Sequence, residues 1–206
     1  THRKPRKLDE GAPRALPEAD VAERHPAPFG ARVDCAPEGR TAVYPDAHTG
    51  IDVAGHVVAS TDPAFREGDA VLCTGSGLSE TRDGGYGEYA RLDARWTIPL
   101  PAGLSLRESM IIGTAGFTAA LALLRMQDNR QRPALGPIAV NGASGGVGML
   151  AIDIFSRAGY EVHAISGKAD HFDFLRDLGA SECIDRHQLV FSGKPMDSAR
   201  FGGALD

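Results

Sequence analysis

Residues 140–150 read VNGASGGVGML, a glycine-rich turn set between a short apolar run and a longer one. The run before it predicts a strand over 138–141. The run after it predicts a helix over 146–158, closed by Gly159 as a helix-stop signal. A turn of this kind leaves backbone N–H groups unpaired at the helix N-terminus, where an anion is favoured. The alternation continues with a strand at 161–165, a helix at 169–178 closed by Gly179, and a strand at 181–185. GGALD at 202–206 reads as the opening of a fourth strand. Strands and helices in regular alternation indicate a parallel sheet of the α/β class.

Within the turn, Ala143-Ser144-Gly145-Gly146-Val147-Gly148 fits the dinucleotide fingerprint G-x-G-x-x-G except at its first position. Gly145 lets the backbone approach a pyrophosphate, and Gly148 lets the helix pack closely on the strand. The candidate pyrophosphate residues are therefore Ser144, Gly145, Gly146, Val147 and Gly148. A tight strand–helix turn with no ligand is the competing reading, and the βαβ context weighs against it. The same letters also fit the TGxxxGxG turn of short-chain dehydrogenases. Those enzymes need Tyr-x-x-x-Lys downstream, and Tyr160 is followed four residues on by Ala164.

The cofactor type is legible one strand later. An NAD site carries Asp or Glu at the end of its second strand, bonded to the ribose 2′-OH. Residues 164–170 read AISGKAD, with no carboxylate at that point. Ser166 can donate to a 2′-phosphate and Lys168 can neutralise it, with Gly167 between them. NADP is the expected cofactor. Arg186 follows the third strand and is placed to reach the adenosine end; for Lys168 and Arg186 alike, a solvated surface charge is the plain alternative.

Upstream, the patterning is that of short strands. GIDVAGHVVAS at 50–60 reads as a strand bent at Gly55, 70–74 as a second strand, and 84–101 as an alternating stretch ending in a Pro-flanked strand. Gly-rich turns between short strands indicate a small β-barrel-like unit. Ser105 and Glu108 have capping-box spacing ahead of an apolar helical run at 117–126, and Pro133 and Pro137 then frame a loop. Residues 1–49 offer few large apolar residues and many Pro, Ala and Arg. No strand is assigned there, and the segment is read as disordered or only partly β.

Bulk properties narrow the function. The chain has 206 residues and a net charge of −5, which gives no footprint for nucleic acid. The longest uncharged runs, such as 109–124, contain Gly and Thr and fall short of a bilayer span. No signal-peptide core is found, and the basic start THRKPRK is read as a frayed end. Cys35, Cys73 and Cys183 are far apart and form no CxxC pair, so neither a zinc site nor a disulfide framework is expected. A soluble cytoplasmic protein acting on a small molecule is the expectation.

Taken in order and spacing, GIDVAG, GGYGEYAR, MIIGTAGFTAALAL, NGASGGVG, AISGK and LRDLGAS resemble the zinc-free quinone oxidoreductases of the medium-chain dehydrogenase/reductase superfamily. The subgroup most resembled is that of the NADPH-dependent acryloyl-CoA reductases. The resemblance covers about 50–206. It implies a GroES-like catalytic domain, here 50–108, followed by a Rossmann NADP-binding domain, here 109–206, with the active site in the cleft between them. It implies hydride transfer from NADPH to an activated C=C bond or a quinone, a homodimer for an intact relative, and Thr118 near the nicotinamide. Where zinc-dependent relatives carry Gly-His-Glu, this chain has Gly50-Ile51-Asp52; His56 falls elsewhere and is read as structural.

Two departures qualify that expectation. The family's Asn-Tyr-Lys-Asp stretch upstream of GIDVAG has no counterpart in 21–49, for which an out-of-frame origin is one hypothesis. Family members also continue well past GGALD, so the later Rossmann strands and the nicotinamide half of the site are expected to be incomplete. A bare strand edge, marginal stability and weak turnover follow, and a catalytically impaired nucleotide-binding remnant is the alternative function. No catalytic residue is assigned: Tyr86 and Tyr89 are read as packed aromatics.

Overall fold

The computed structural model describes residues 31–35, 49–189 and 199–206. Two sheets organise them. The first is antiparallel and contains β1 (Ala31–Cys35), β2 (Asp52–Ala59), β3 (Ala70–Thr74), β4 (Tyr89–Leu92) and β5 (Ile98–Pro99), in the order β4-β1-β2-β3-β5. The second is parallel and contains β6 (Ile138–Val140), β7 (Val162–Ser166), β8 (Glu182–Asp185) and β9 (Gly203–Leu205), in the order β8-β7-β6-β9. Helices α1 (Leu106–Asp128), α2 (Gly146–Arg157) and α3 (Phe172–Asp177) complete the main elements. The chain is thus α/β, with a GroES-like β unit followed by a Rossmann-type parallel sheet.

The parallel sheet follows the sequence pattern closely. Its strands are short apolar runs, and all five residues of β7 are buried, as both faces of a parallel sheet require. On one face Ile138, Val140, Ile152, Phe155, Val162 and Leu175 form a continuous core; on the other Ala139, Ile165 and Ile184 pack with Leu189 and Phe201. The helix expected over 169–178 divides into a 3-10 turn at Ala169–His171 and then α3. In the first sheet Val53, Val57, Val71, Cys73 and Leu92 make a separate core. Burial pushes the Cys73 thiol up from its ordinary value. At its rim, the guanidinium and backbone N–H of Arg95 lower the Asp93 carboxyl to about 2.

Three expectations are corrected. A strand, β1, lies within the stretch where no strand is assigned from the sequence, and it sits inside the sheet with β2 and β4 on either side. Its ARVDC alternation is only five residues long, so its place is set by partners on both edges and not by local pattern. Gly55 does not bend β2: it pairs regularly with Cys35 and Val71, and the irregularity lies between Arg32 and Val33, opposite Ala59 and Val57. Tyr86 and Tyr89 are only partly packed, since each is about half exposed (49% and 48%). The expectations for THRKPRK and for most of 21–49, including the out-of-frame hypothesis, lie outside the described residues.

Helix α1 joins the two sheets. Ser105 accepts from the Glu108 N–H while the Glu108 carboxylate accepts from the Ser105 N–H, completing the expected capping box. The helix is long and apolar enough to cross a membrane by length and composition. It packs, however, against α2 and β2, which makes it part of this fold. Its other side presents Phe117, Leu121 and Leu124 to solvent as one apolar stripe. Among the described residues β9 is paired by β6.

Candidate dinucleotide site

The sheet order changes direction at β6: β7 and β8 extend from one side of it and β9 from the other. Ligands of parallel α/β sheets bind beyond the carboxyl ends of the strands at such a switch point. The glycine turn stands there. It is tied to β9 by the Asn141 N–H donating to Leu205 O at 2.8 Å, and to β7 by the Ala143 N–H donating to Ile165 O at 3.0 Å. Gly142 has φ 58°, the left-handed region that favours glycine, and its carbonyl accepts from the Gly145 N–H at 2.8 Å.

Two glycines of the turn serve different needs. Gly148 is buried, and a Cβ there would lie 2.6 Å from Gly142 O and 2.7 Å from Ala143 Cα. Helix and turn are in direct backbone contact at that point. Gly145 and Gly146 are exposed, and a Cβ on Gly146 would meet only the Ala115 methyl of α1 at 3.7 Å. Gly145 is the N-cap of α2 and supplies no side-chain cap. The first N–H groups of α2, at Gly146, Val147 and Gly148, therefore have no intrahelical acceptor and lie at a bare backbone. That is a cradle for an anion, and it fits a pyrophosphate.

Beside the turn, Ser144 Oγ and Ser166 Oγ are 3.0 Å apart, which joins the turn to the end of β7. Ser166 is buried and also accepts from the Lys168 N–H at 3.1 Å. Gly167 faces the turn after β8: a Cβ on it would come 2.9 Å from Arg186 Nη2. Ser144, Ser166, Gly167, Lys168 and Arg186 are thus brought together. Thr118 is not joined to them by any hydrogen bond; its hydroxyl donates to Thr114 O at 2.8 Å, one turn back on α1.

Two residues to which the sequence reading assigns no role help build the site. Ala115, on α1, faces Gly146 across the turn. Asp52, at the start of β2, accepts from both the N–H and the hydroxyl of Thr114 at 2.8 Å through one carboxylate oxygen. Gly113 just before it has φ 46° and ψ −157°, so α1 is broken there, and Asp52 caps its second half. A charged residue opening an apolar strand is the signal that could have marked Asp52. Replacing it with Ala is expected to destabilise the chain by about 1–2 kcal/mol, with part of the loss recovered by Asp52→Asn. Urea denaturation of the two variants checks this, and an unchanged midpoint for Asp52→Ala counts against the cap.

Known proteins resemble this chain as follows. It is 46% identical over 159 residues to the putative quinone oxidoreductase YhfP of Bacillus subtilis, covering 76% of this chain and 48% of that protein. It is 44% identical over 157 residues to the probable acrylyl-CoA reductase AcuI of Escherichia coli, again covering 76% and 48%. The chain therefore spans about half the length of the curated relatives it matches. Among solved structures, the Salmonella enterica yhdH oxidoreductase in complex with NADP superposes with TM-score 0.80 at 38% identity, covering 93% of this chain and 61% of that one. The Bacillus subtilis yhfP protein with NAD bound superposes with TM-score 0.78 at 39% identity, covering 86% and 58%. No family model matches the sequence.

Proposed function

We propose that this chain, which is similar over their shared residues to the quinone oxidoreductases and acrylyl-CoA reductases of the medium-chain dehydrogenase/reductase superfamily, binds NADPH and is part of a reductase of activated C=C bonds or quinones. The observation that carries this reading is the uncapped start of α2 at a bare glycine turn, set beside a strand end that offers Ser166 and Lys168 in place of a carboxylate. Bound NADPH supplies the reducing equivalent.

In this reading the N–H groups of Gly146, Val147 and Gly148 hold the pyrophosphate, and Ser144 closes the turn against Ser166. Ser166, Lys168 and Arg186 receive the 2′-phosphate, and the absence of Asp or Glu at the end of β7 removes the repulsion that NADPH meets in an NAD site. Ser144, Gly145, Gly146, Val147, Gly148, Ser166, Gly167, Lys168 and Arg186 are the proposed cofactor residues, with Thr118 on the nicotinamide side by family analogy. The unit 50–108 is proposed as the catalytic domain and 109–206 as the cofactor domain. Zinc-independent chemistry, a cytoplasmic setting, a small-molecule substrate and a homodimeric whole protein belong to the same proposal.

The test is a calorimetric titration of the purified chain with NADPH and with NADH. Saturable binding that favours NADPH by about tenfold or more, the scale of charge-assisted contacts to a phosphate, is expected. Binding of neither nucleotide would reduce the glycine turn to a packing device.

A further inference from the structure

The short turn after β8 carries more than Arg186. Residues Arg186–Gln188 form one 3-10 turn, and its side chains are exposed. A Cβ on Gly167 would lie 3.0 Å from His187 Nε2, nearly as close as the 2.9 Å to Arg186 Nη2. Both side chains therefore lie over the bare backbone of Gly167, between Ser166 and Lys168. The carboxylate nearest in sequence is engaged elsewhere: Asp185 accepts from the His187 N–H at 2.9 Å and from Gln188 Nε2 at 3.3 Å, which holds the turn. Across the strand end, Asp170 pairs with His171 at 3.8 Å. Among the described residues the side chains of Lys168, Arg186 and His187 make no hydrogen bond or ion pair.

The Arg186 and His187 side chains thus converge on Gly167, and Lys168 follows it directly in the chain. Lys168 and Arg186 hold a fixed positive charge; histidine is the side chain that changes charge between about pH 5 and 8. A phosphate dianion placed against Nε2 favours the protonated imidazole. We propose that His187 is a specificity-determining residue for 2′-phosphorylated adenosine nucleotides, taking up a proton from solvent at Nε2 when the 2′-phosphate binds. This rests on the NADPH reading of the glycine turn.

The experiment is calorimetric titration of the full chain and of His187→Gln with NADPH and NADH, in two buffers of different ionisation enthalpy, near pH 6.5 and near pH 8.5. Gln keeps a donor at that position and cannot take up a proton. Near pH 6.5 the variant is expected to lose about tenfold in NADPH affinity, as a charge-assisted contact becomes a neutral one. It is expected to lose nothing for NADH, and the gap narrows near pH 8.5. Proton uptake on NADPH binding is expected to be larger in the parent chain than in the variant. If the parent chain binds NADPH but the variant matches it in affinity and proton uptake, or if NADH and NADPH weaken together, the role of His187 is overturned and the NADPH reading stands. If the parent chain binds neither nucleotide, both fail.

Discussion

Gly148→Ala is expected to abolish measurable NADPH binding and to lower folding stability by about 1–3 kcal/mol, the scale of an overpacked interior contact. The added methyl would stand 2.6 Å from Gly142 O, 2.7 Å from Ala143 Cα and 2.9 Å from Ala143 O. Ordinary carbon contacts begin near about 3.5 Å, and all three neighbours are backbone, so no side chain can swing aside. The N-terminus of α2 must lift off the turn, and the N–H groups meant for the pyrophosphate move with it. Gly146→Ala provides the contrast. Its methyl meets only Ala115 at 3.7 Å, so the denaturation midpoint is expected to stay at the parent value. Thermal and urea denaturation read the packing effect, and NADPH calorimetry reads the binding effect. A Gly148→Ala chain with parent-like stability and affinity would mean that helix and turn are not in contact.

That contrast shows what was legible in the sequence. The parallel half could be read because its signals are local. A glycine turn, helix stops at Gly159 and Gly179, and short apolar runs each act within a few residues, and they agree with one another. GGALD reads as a strand opening, and β9 occupies Gly203–Leu205. In the other half the decisive interactions are remote. β1 is held by backbone pairing to β2 and β4, and a five-residue alternation among prolines and arginines carries too little pattern to announce it. Asp52 was noted only as standing in place of a zinc-ligand motif; its work is to cap α1 at Thr114, 62 residues away. Residue type at a strand start says nothing about a helix break so distant.

The site divides in the same way. Ser144, Ser166 and Lys168 could be named from their positions after strands, and the two serine hydroxyls join all three. His187 could not, because its closeness to Gly167 depends on how the Arg186–Gln188 turn folds back, which Asp185 decides. Thr118 came from family resemblance alone, and its hydroxyl is turned to its own helix.

Phe155→Ala should have the largest effect on stability. Phe155 is fully buried in α2, and its ring stands edge-on to Tyr160 with centroids 5.9 Å apart. Tyr160 is held in place by its hydroxyl donating to Gln131 O and its N–H donating to Phe155 O, both at 3.0 Å. It therefore cannot follow the missing ring into the space. A loss of about 3–5 kcal/mol is expected for such a cavity. A domain of this size is stable by only about 5–15 kcal/mol, so the variant should be largely unfolded in mild urea. Phe155→Leu, which keeps most of the volume, should lose about 1.5 kcal/mol or less. Two probes separate the halves of the molecule. Circular dichroism follows the helices, while the single tryptophan, Trp96, packs against the core of the antiparallel sheet. Because α1 packs on α2 and is bonded to Asp52 of β2, the two signals are expected to shift together in Phe155→Ala. A Trp96 transition left at the parent midpoint while the dichroism transition moves would show that the Asp52–Thr114 link does not couple the two sheets, and that each unfolds as its own unit.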